Sequence, residues 1–156
     1  MKDSNKDSND VPRPIVRVTR LLAAPPKAVF AAWTDAEGFK EWFCPLTMRV
    51  VVAELEVRVG GHLRIVMRGD DGDHEVRGVY REVRAPTRLV FTWTSSGTRG
   101  EESVVTVELR AVGTQTELTL THELLPDEDS RTSHQRGWES IAGKLSDVLA
   151  RAHAEI

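Results

Sequence analysis

The sequence predicts an α+β domain in which a curved antiparallel sheet wraps around one long C-terminal helix. Three observations carry this prediction. Between Met48 and Leu124, apolar residues recur with period two in about six runs separated by glycine- and proline-bearing turns, as in consecutive antiparallel hairpins. After Pro126 the spacing becomes helical for about 25 residues, and at 1.5 Å each these make a rod of about 37 Å, longer than any of the strands. The strands alternate on one side only, so one sheet face is covered while the other meets water. The rod, with its single apolar side, is the cover.

Size and composition set the limits. A chain of 156 residues, 40% hydrophobic and 29% charged, can bury one core without disulfides or metals. The net charge of −3, with both signs interspersed, gives no footprint for nucleic acid or an anionic membrane, so neither is expected as a partner. No apolar run approaches the roughly 20 residues of a membrane span. The single cysteine, Cys44, suits a reducing cytoplasm. Residues 1–13, MKDSNKDSNDVPR, lack the apolar stretch of a secretory signal and have almost nothing to bury. They are expected to be a disordered tail before a single domain over residues 14–154. Deleting residues 1–12 should therefore lower the melting temperature by less than about 4 °C, roughly 1 kcal/mol for a domain of this size.

The elements follow in order. IVRVTRLL, from Ile15 to Leu22, alternates as a strand. In APPKAVFAAWTD the prolines suit a helix's first turn, and Val29, Phe30 and Trp33 make its stripe. Asp35 can cap a second short helix, AEGFKEWF, with Phe39, Trp42 and Phe43 on one side and Pro45 ending it. MRVVVAELEV is a strand stopped by Gly60 and Gly61. HLRIVMR then sets Leu63, Ile65 and Met67 on one face, and GDDGD turns the chain. HEVRGVYREV is the next strand, its phase left open by a possible bulge at Gly78. RLVFTWT aligns Leu89, Phe91 and Trp93, ESVVTVEL aligns Val105, Val107 and Leu109, and QTELTLTHEL aligns Leu118, Leu120 and His122. The last helix opens on Asp127, Glu128 and Asp129 and has Arg151 and His153 near its end, both groups favourable to its dipole. His134, Trp138, Ile141, Leu145, Val148, Leu149 and Ala152 fall on one side of it.

These residues resemble a known family. VFAAWTDAEGFKEWFCP, ELEVRVGGHLRIVMRGDDGDHEVRGVYREVRAPTRLVFTWT, GTQTELTLTHELLP and HQRGWESIAGKL, in this order, are similar to the START-like (SRPBCC) superfamily. Within it they most resemble the branch named for homologues of the heat-shock-protein-90 ATPase activator (AHSA1-like). The resemblance implies the helix-grip fold, START-like or Bet v 1-like: a strand, two short helices, six strands and a long C-terminal helix. It also implies a cavity between helix and sheet for a hydrophobic or aromatic small molecule. Two positions depart from the family pattern. Cys44 stands where a small residue, often glycine, is common, and Glu56 where aspartate is common.

Chemistry is sparse. The pairs His74-Glu75 and His122-Glu123 lack the second histidine a zinc helix needs, since Gly78 and Pro126 stand there. His134 and His153 would lie about 28 Å apart on one helix. No metal or cofactor is expected. Cys44 has no basic neighbour in sequence to activate it, and there is no G-x-S-x-G or phosphate-cradling glycine turn.

What remains is aromatic. Trp33, Trp42, Phe43, Met67, Phe91, Trp93 and Trp138 fall on apolar phases, each read singly as core. Together with Ile141, Leu145, a possible hydroxyl from Tyr80 and the imidazoles of His122 and His134, they match a mostly apolar cavity with a few orienting polar groups. Those two histidines stand where a dry core would take Leu or Val, so each must find water, a protein partner or a ligand. The expectation is a pocket above roughly 300 Å³ behind the last helix.

The expected function is binding of a small hydrophobic or aromatic molecule, without chemistry, by a cytoplasmic monomer or homodimer. An alternative is an enzyme of the polyketide cyclase/aromatase type, with acid–base help from His122, His134 or Tyr80. No paired carboxylates or activated nucleophile support it. A second alternative is a chaperone partner that stimulates the heat-shock-protein-90 ATPase through its surface.

Overall fold

The computed structural model describes residues 13–154; residues 1–12, most of the expected tail, lie outside the described residues. Its elements are β1 (Val16–Leu22), α1 (Pro26–Thr34), α2 (Ala36–Trp42), β2 (Arg49–Leu55), β3 (His62–Gly69), β4 (Gly72–Arg84), β5 (Arg88–Trp93), β6 (Ser103–Val112), β7 (Gln115–Glu123) and α3 (Glu128–Ala154). Among the described residues the strands form one sheet in the order β1-β7-β6-β5-β4-β3-β2, every neighbouring pair antiparallel. Successive strands from β2 to β7 are hairpin neighbours, while β1 joins β7 at one edge. The curved sheet grips α3, as expected.

Local chemistry explains the boundaries. Pro26 sits in the first turn of α1, where an absent N–H costs nothing. The Asp35 carboxylate caps α2 by accepting the Gly38 N–H at 3.0 Å. Helix α3 begins just after the Pro126–Asp127 start expected, because Asp127 is its cap: Oδ1 accepts the Ser130 N–H at 2.8 Å. Arg13, at the start of the described chain, donates to Glu101 at 2.8 Å and to the Leu125 carbonyl at 3.3 Å.

The strand phases read from sequence hold. Leu63, Ile65 and Met67 of β3, Leu89, Phe91 and Trp93 of β5, Val105, Val107 and Leu109 of β6 and Leu118, Leu120 and His122 of β7 are all buried. In β4 the inward residues are Val76 and Tyr80, with Gly78 between them against Thr92 of β5. The register shift lies one step further on, between Tyr80 and Glu82. On α3, Trp138, Ile141, Leu145 and Leu149 are buried, and Ala142 joins them. Ala152 is exposed, contrary to the expected stripe, because the buried face of the helix ends at Leu149.

Candidate functional site

The helix–sheet interface has two parts with different packing. In the middle, Leu145, Ala142, Ile141 and Trp138 of α3 meet Val18, Leu118, Leu120 and Trp33, leaving about 10 Å³ of space. That is no more than one water, and the core there is solid. Towards the N-terminal half of α3 the two layers separate, and a cleft of about 310 Å³ opens to solvent. Its walls are Met48, Met67, Val76, Trp93, Trp138 and Ile141; Pro45, Leu46, His74, Ser95, Ser96, Gly97, Ser133, His134 and Gly137 complete it. Other hollows, of about 410 and 720 Å³, lie on the charged outer face around Arg88 and beside the Gly113 turn, and neither has an aromatic wall.

The expected site residues divide between these regions. Met67, Trp93, His134, Trp138 and Ile141 line the cleft. Trp33, Trp42, Phe43, Tyr80, Phe91, His122 and Leu145 are buried beside or behind it and do not line it. The aromatic residues of α1 and α2 pack chiefly on one another. Trp33 and Trp42 meet edge-to-face with centroids 4.8 Å apart, Phe39 and Phe43 stack at 4.2 Å, and Phe43 meets Trp138 at 5.6 Å. The abundance of tryptophan thus builds a continuous aromatic wall whose far end, Trp93 and Trp138, faces the cleft.

His122 has found protein partners on both ring nitrogens. The Trp138 indole N–H donates to Nδ1 at 3.0 Å, so Nδ1 carries the lone pair and Nε2 the proton. Nε2 then donates to the Ser103 hydroxyl at 2.7 Å, which in turn donates to the Trp93 carbonyl at 2.7 Å. The chain closes with each member satisfied, and it pins Trp93 and Trp138 to the same strand pair. Burial, reinforced by neighbouring His134, holds the His122 pKa well below the ordinary histidine value.

His134 is oriented differently. Its Nδ1 meets the Ser130 carbonyl at 2.8 Å and must donate to it, leaving Nε2 as an acceptor in the neutral ring. Burial lowers its pKa, partly opposed by that backbone hydrogen bond. Both depressed values have one consequence for stability. As pH falls below about 6.5 the unfolded chain takes up protons before the folded one does. The stability contributed by the neutral rings is therefore complete above that pH and is lost as pH drops towards the folded pKa values. Each ring contributes a slope of at most about 1.4 kcal/mol per pH unit. Urea melts between pH 7.5 and 5.5 should show this loss, and His122→Asn, whose amide oxygen can replace Nδ1, should flatten it. Stability unchanged across that range would show that neither ring is held neutral.

The cleft's rim was not legible in the sequence. It is made by the loop after α2, where Leu46 takes a left-handed backbone conformation (φ 55°) while half its surface is exposed. Such a residue persists only when its surroundings hold it. Here α3 does: Ser140 Oγ accepts the Leu46 N–H at 2.9 Å, and the Lys144 ammonium donates to the carbonyls of Leu46 at 2.6 Å and Cys44 at 2.7 Å. Cys44 itself does not line the cleft; its Sγ is 3.5 Å from Lys144. The other rim, Ser95 to Gly97, is the SSGTRG loop, whose residues Ser96–Thr98 form a short 3-10 turn capped by the Ser95 hydroxyl. Sequence reasoning found that loop but had no means of placing it over α3.

Among the described residues no cluster of three or more His, Cys, Asp or Glu side chains could hold a metal ion. No described helix is long and apolar enough to cross a membrane. An antiparallel sheet gripping a long helix, with an apolar cleft between the two, defines a helix-grip protein of the START-like class. The chain belongs to the family of Activator of Hsp90 ATPase homolog 1-like proteins, whose family model matches residues 23–150. Solved structures agree in shape. The AHSA1 protein of Silicibacter pomeroyi is 29% identical with a TM-score of 0.80, covering 89% of this chain and 99% of that one. A protein of Chromobacterium violaceum, at 23% identity, has a TM-score of 0.81 over 87% of this chain and 96% of the other, a likeness of fold alone. A search among curated proteins finds no match.

Proposed function

We propose that this protein binds a small hydrophobic or aromatic molecule in the cleft between β3, β4, β5 and the first half of α3, and performs no chemistry on it. The observation that carries this reading is the contrast within one interface. The layers are closed to about 10 Å³ in the middle, yet open to about 310 Å³ beside Trp93 and Trp138. A cavity of that size with mostly apolar walls is at the lower end of what small-molecule sites need. An enzyme would need proton-transfer groups within reach of the occupant. Both nitrogens of His122 are engaged, and Tyr80, its phenol pKa pushed up by burial, does not line the cleft. His134 stands without a second acid or base side chain bonded to it among the described residues. We further infer a cytoplasmic protein, monomeric or homodimeric, with residues 14–154 as one domain and no nucleic-acid partner.

The test is thermal unfolding with a panel of lipophilic aromatic compounds, together with native mass spectrometry of freshly purified protein. A ligand at 100 times its Kd should add about 2.7 kcal/mol. Met48→Trp, which fills the cleft from its rim, should abolish that gain. If no compound stabilises the protein, or if Met48→Trp leaves the gain intact, the cleft is not the binding site.

A further inference from the structure

The polar side chains of the cleft are the hydroxyls of Ser95, Ser96 and Ser133 and two imidazoles. Among the described residues no lysine, arginine, aspartate or glutamate lines it, and its ionisable groups are His74 and His134. His74 Nε2 is already within 2.9 Å of the Asp71 carboxylate. His134 is different, because its Nδ1 is committed to the Ser130 carbonyl and its Nε2 has no hydrogen-bond partner among the described residues. The ring is also held from the other side. A Cβ on Gly97 would stand 3.0 Å from His134 Cε1 and 3.3 Å from Nε2, so glycine there lets the imidazole lie against the turn. An acceptor fixed among mostly apolar walls calls for a hydrogen-bond donor on the occupant. It offers nothing to a carboxylate or a phosphate, and among the described residues no lysine or arginine lines the cleft to pair with one.

The walls specify the remainder. Trp93 and Trp138 stand 5.2 Å apart between centroids, inclined by 54°, and Met67 and Val76 face them from the sheet. Flat rings and a polarisable thioether favour a planar aromatic body. A hydroxyl is the smallest neutral group that donates a hydrogen bond.

We infer that the cleft is selective for a neutral, planar aromatic molecule carrying a hydroxyl group, whose O–H donates to Nε2 of His134. This rests on the binding reading above and narrows it to a class of ligand, the phenols. A buried acceptor left unmatched costs more than a matched bond gains, so analogues without the donor are penalised.

The experiment is isothermal titration of the full chain at neutral pH with naphthol, methoxynaphthalene and methylnaphthalene. All three share one aromatic body, but only naphthol can donate. Naphthol should bind roughly tenfold more tightly than methoxynaphthalene. In His134→Ala the ratio of the naphthol and methylnaphthalene affinities should fall to about one. Naphthoate, which carries a charge, should bind most weakly of all. If methoxynaphthalene binds as tightly as naphthol, or all three bind alike, the His134 assignment is overturned while binding of aromatic molecules stands. If none binds, both this inference and the proposed function fall. The comparison of ligands on the unaltered protein decides the matter even if His134→Ala does not fold.

Discussion

Trp138→Ala is expected to destabilise the protein by about 3–5 kcal/mol, the range for losing a large buried aromatic side chain. That is a large part of the 5–15 kcal/mol typical of a whole domain. Trp138 is 2% exposed and stands where both halves of the interface meet. It touches the solid core through Trp33 and Phe43, the cleft through Trp93, and the buried polar chain through its N–H to His122. The substitution removes the packing and also leaves Nδ1 of His122 without its donor, so the cost should fall in the upper part of the range. Glu139→Ala is the control. Glu139 is exposed on the next position of the same helix and among the described residues accepts only from Gln135, at 2.8 Å, so its loss should cost less than about 0.5 kcal/mol. Equal shifts of the two variants in urea melts would mean that α3 does not present this face to the sheet.

Gly78→Ala should cost about 3 kcal/mol or more, for a reason that has nothing to do with apolar burial. A Cβ at residue 78 would lie 1.9 Å from the Thr92 carbonyl oxygen and 2.9 Å from its carbon, so β4 and β5 would have to part. Overpacking against mobile side chains costs about 1–3 kcal/mol. Here the obstacle is backbone, held by the paired hydrogen bonds between Arg77 and Thr94 and by Val79 N–H donating to Thr92 Oγ1 at 2.9 Å. Gly143→Ala in α3 is the opposite case. Its nearest contact would be Arg20 Nη1 at 3.8 Å, and alanine in a helix interior is favoured over glycine by roughly 0.5–1 kcal/mol. Chemical denaturation of the pair should therefore show shifts of opposite sign. A neutral Gly78→Ala would mean that the close approach of β4 and β5 is not obligatory.

Much of the fold was legible because burial imposes a period. Leu118, Leu120 and His122 share a face for the same reason that Leu89, Phe91 and Trp93 do: in a strand every second side chain points the same way, and only one face of this sheet is covered. The prolines of α1 and the Asp35 cap of α2 act within one turn of themselves, so neighbouring residues suffice to read them. Gly78 marks the limit. It was visible as an irregularity, but the register shift lies at Tyr80/Glu82, and the strand that requires a glycine at residue 78 is β5, more than ten residues away.

The candidate site divides along the same line. By itself the sequence determined which residues are apolar on which face, and therefore the antiparallel strands, the three helices and a surplus of aromatic residues behind the last helix. It also determined that His122 and His134 would need partners. Only the tertiary structure decided who those partners are. His122 meets Ser103 and Trp138, on β6 and α3, and becomes part of a closed polar chain, while His134 is anchored by its own helix through Nδ1 and has no partner on Nε2 among the described residues. Likewise only the tertiary structure decided that Trp33, Trp42 and Phe43 fill the core while Trp93 and Trp138 face open space. The physical reason is one of range. Periodicity and capping are set by interactions within a turn or a pleat, whereas a cavity is the volume left over when distant elements meet. That volume depends on how far the loops at residues 45–48 and 95–97 hold α3 from the sheet, a distance that no local pattern encodes.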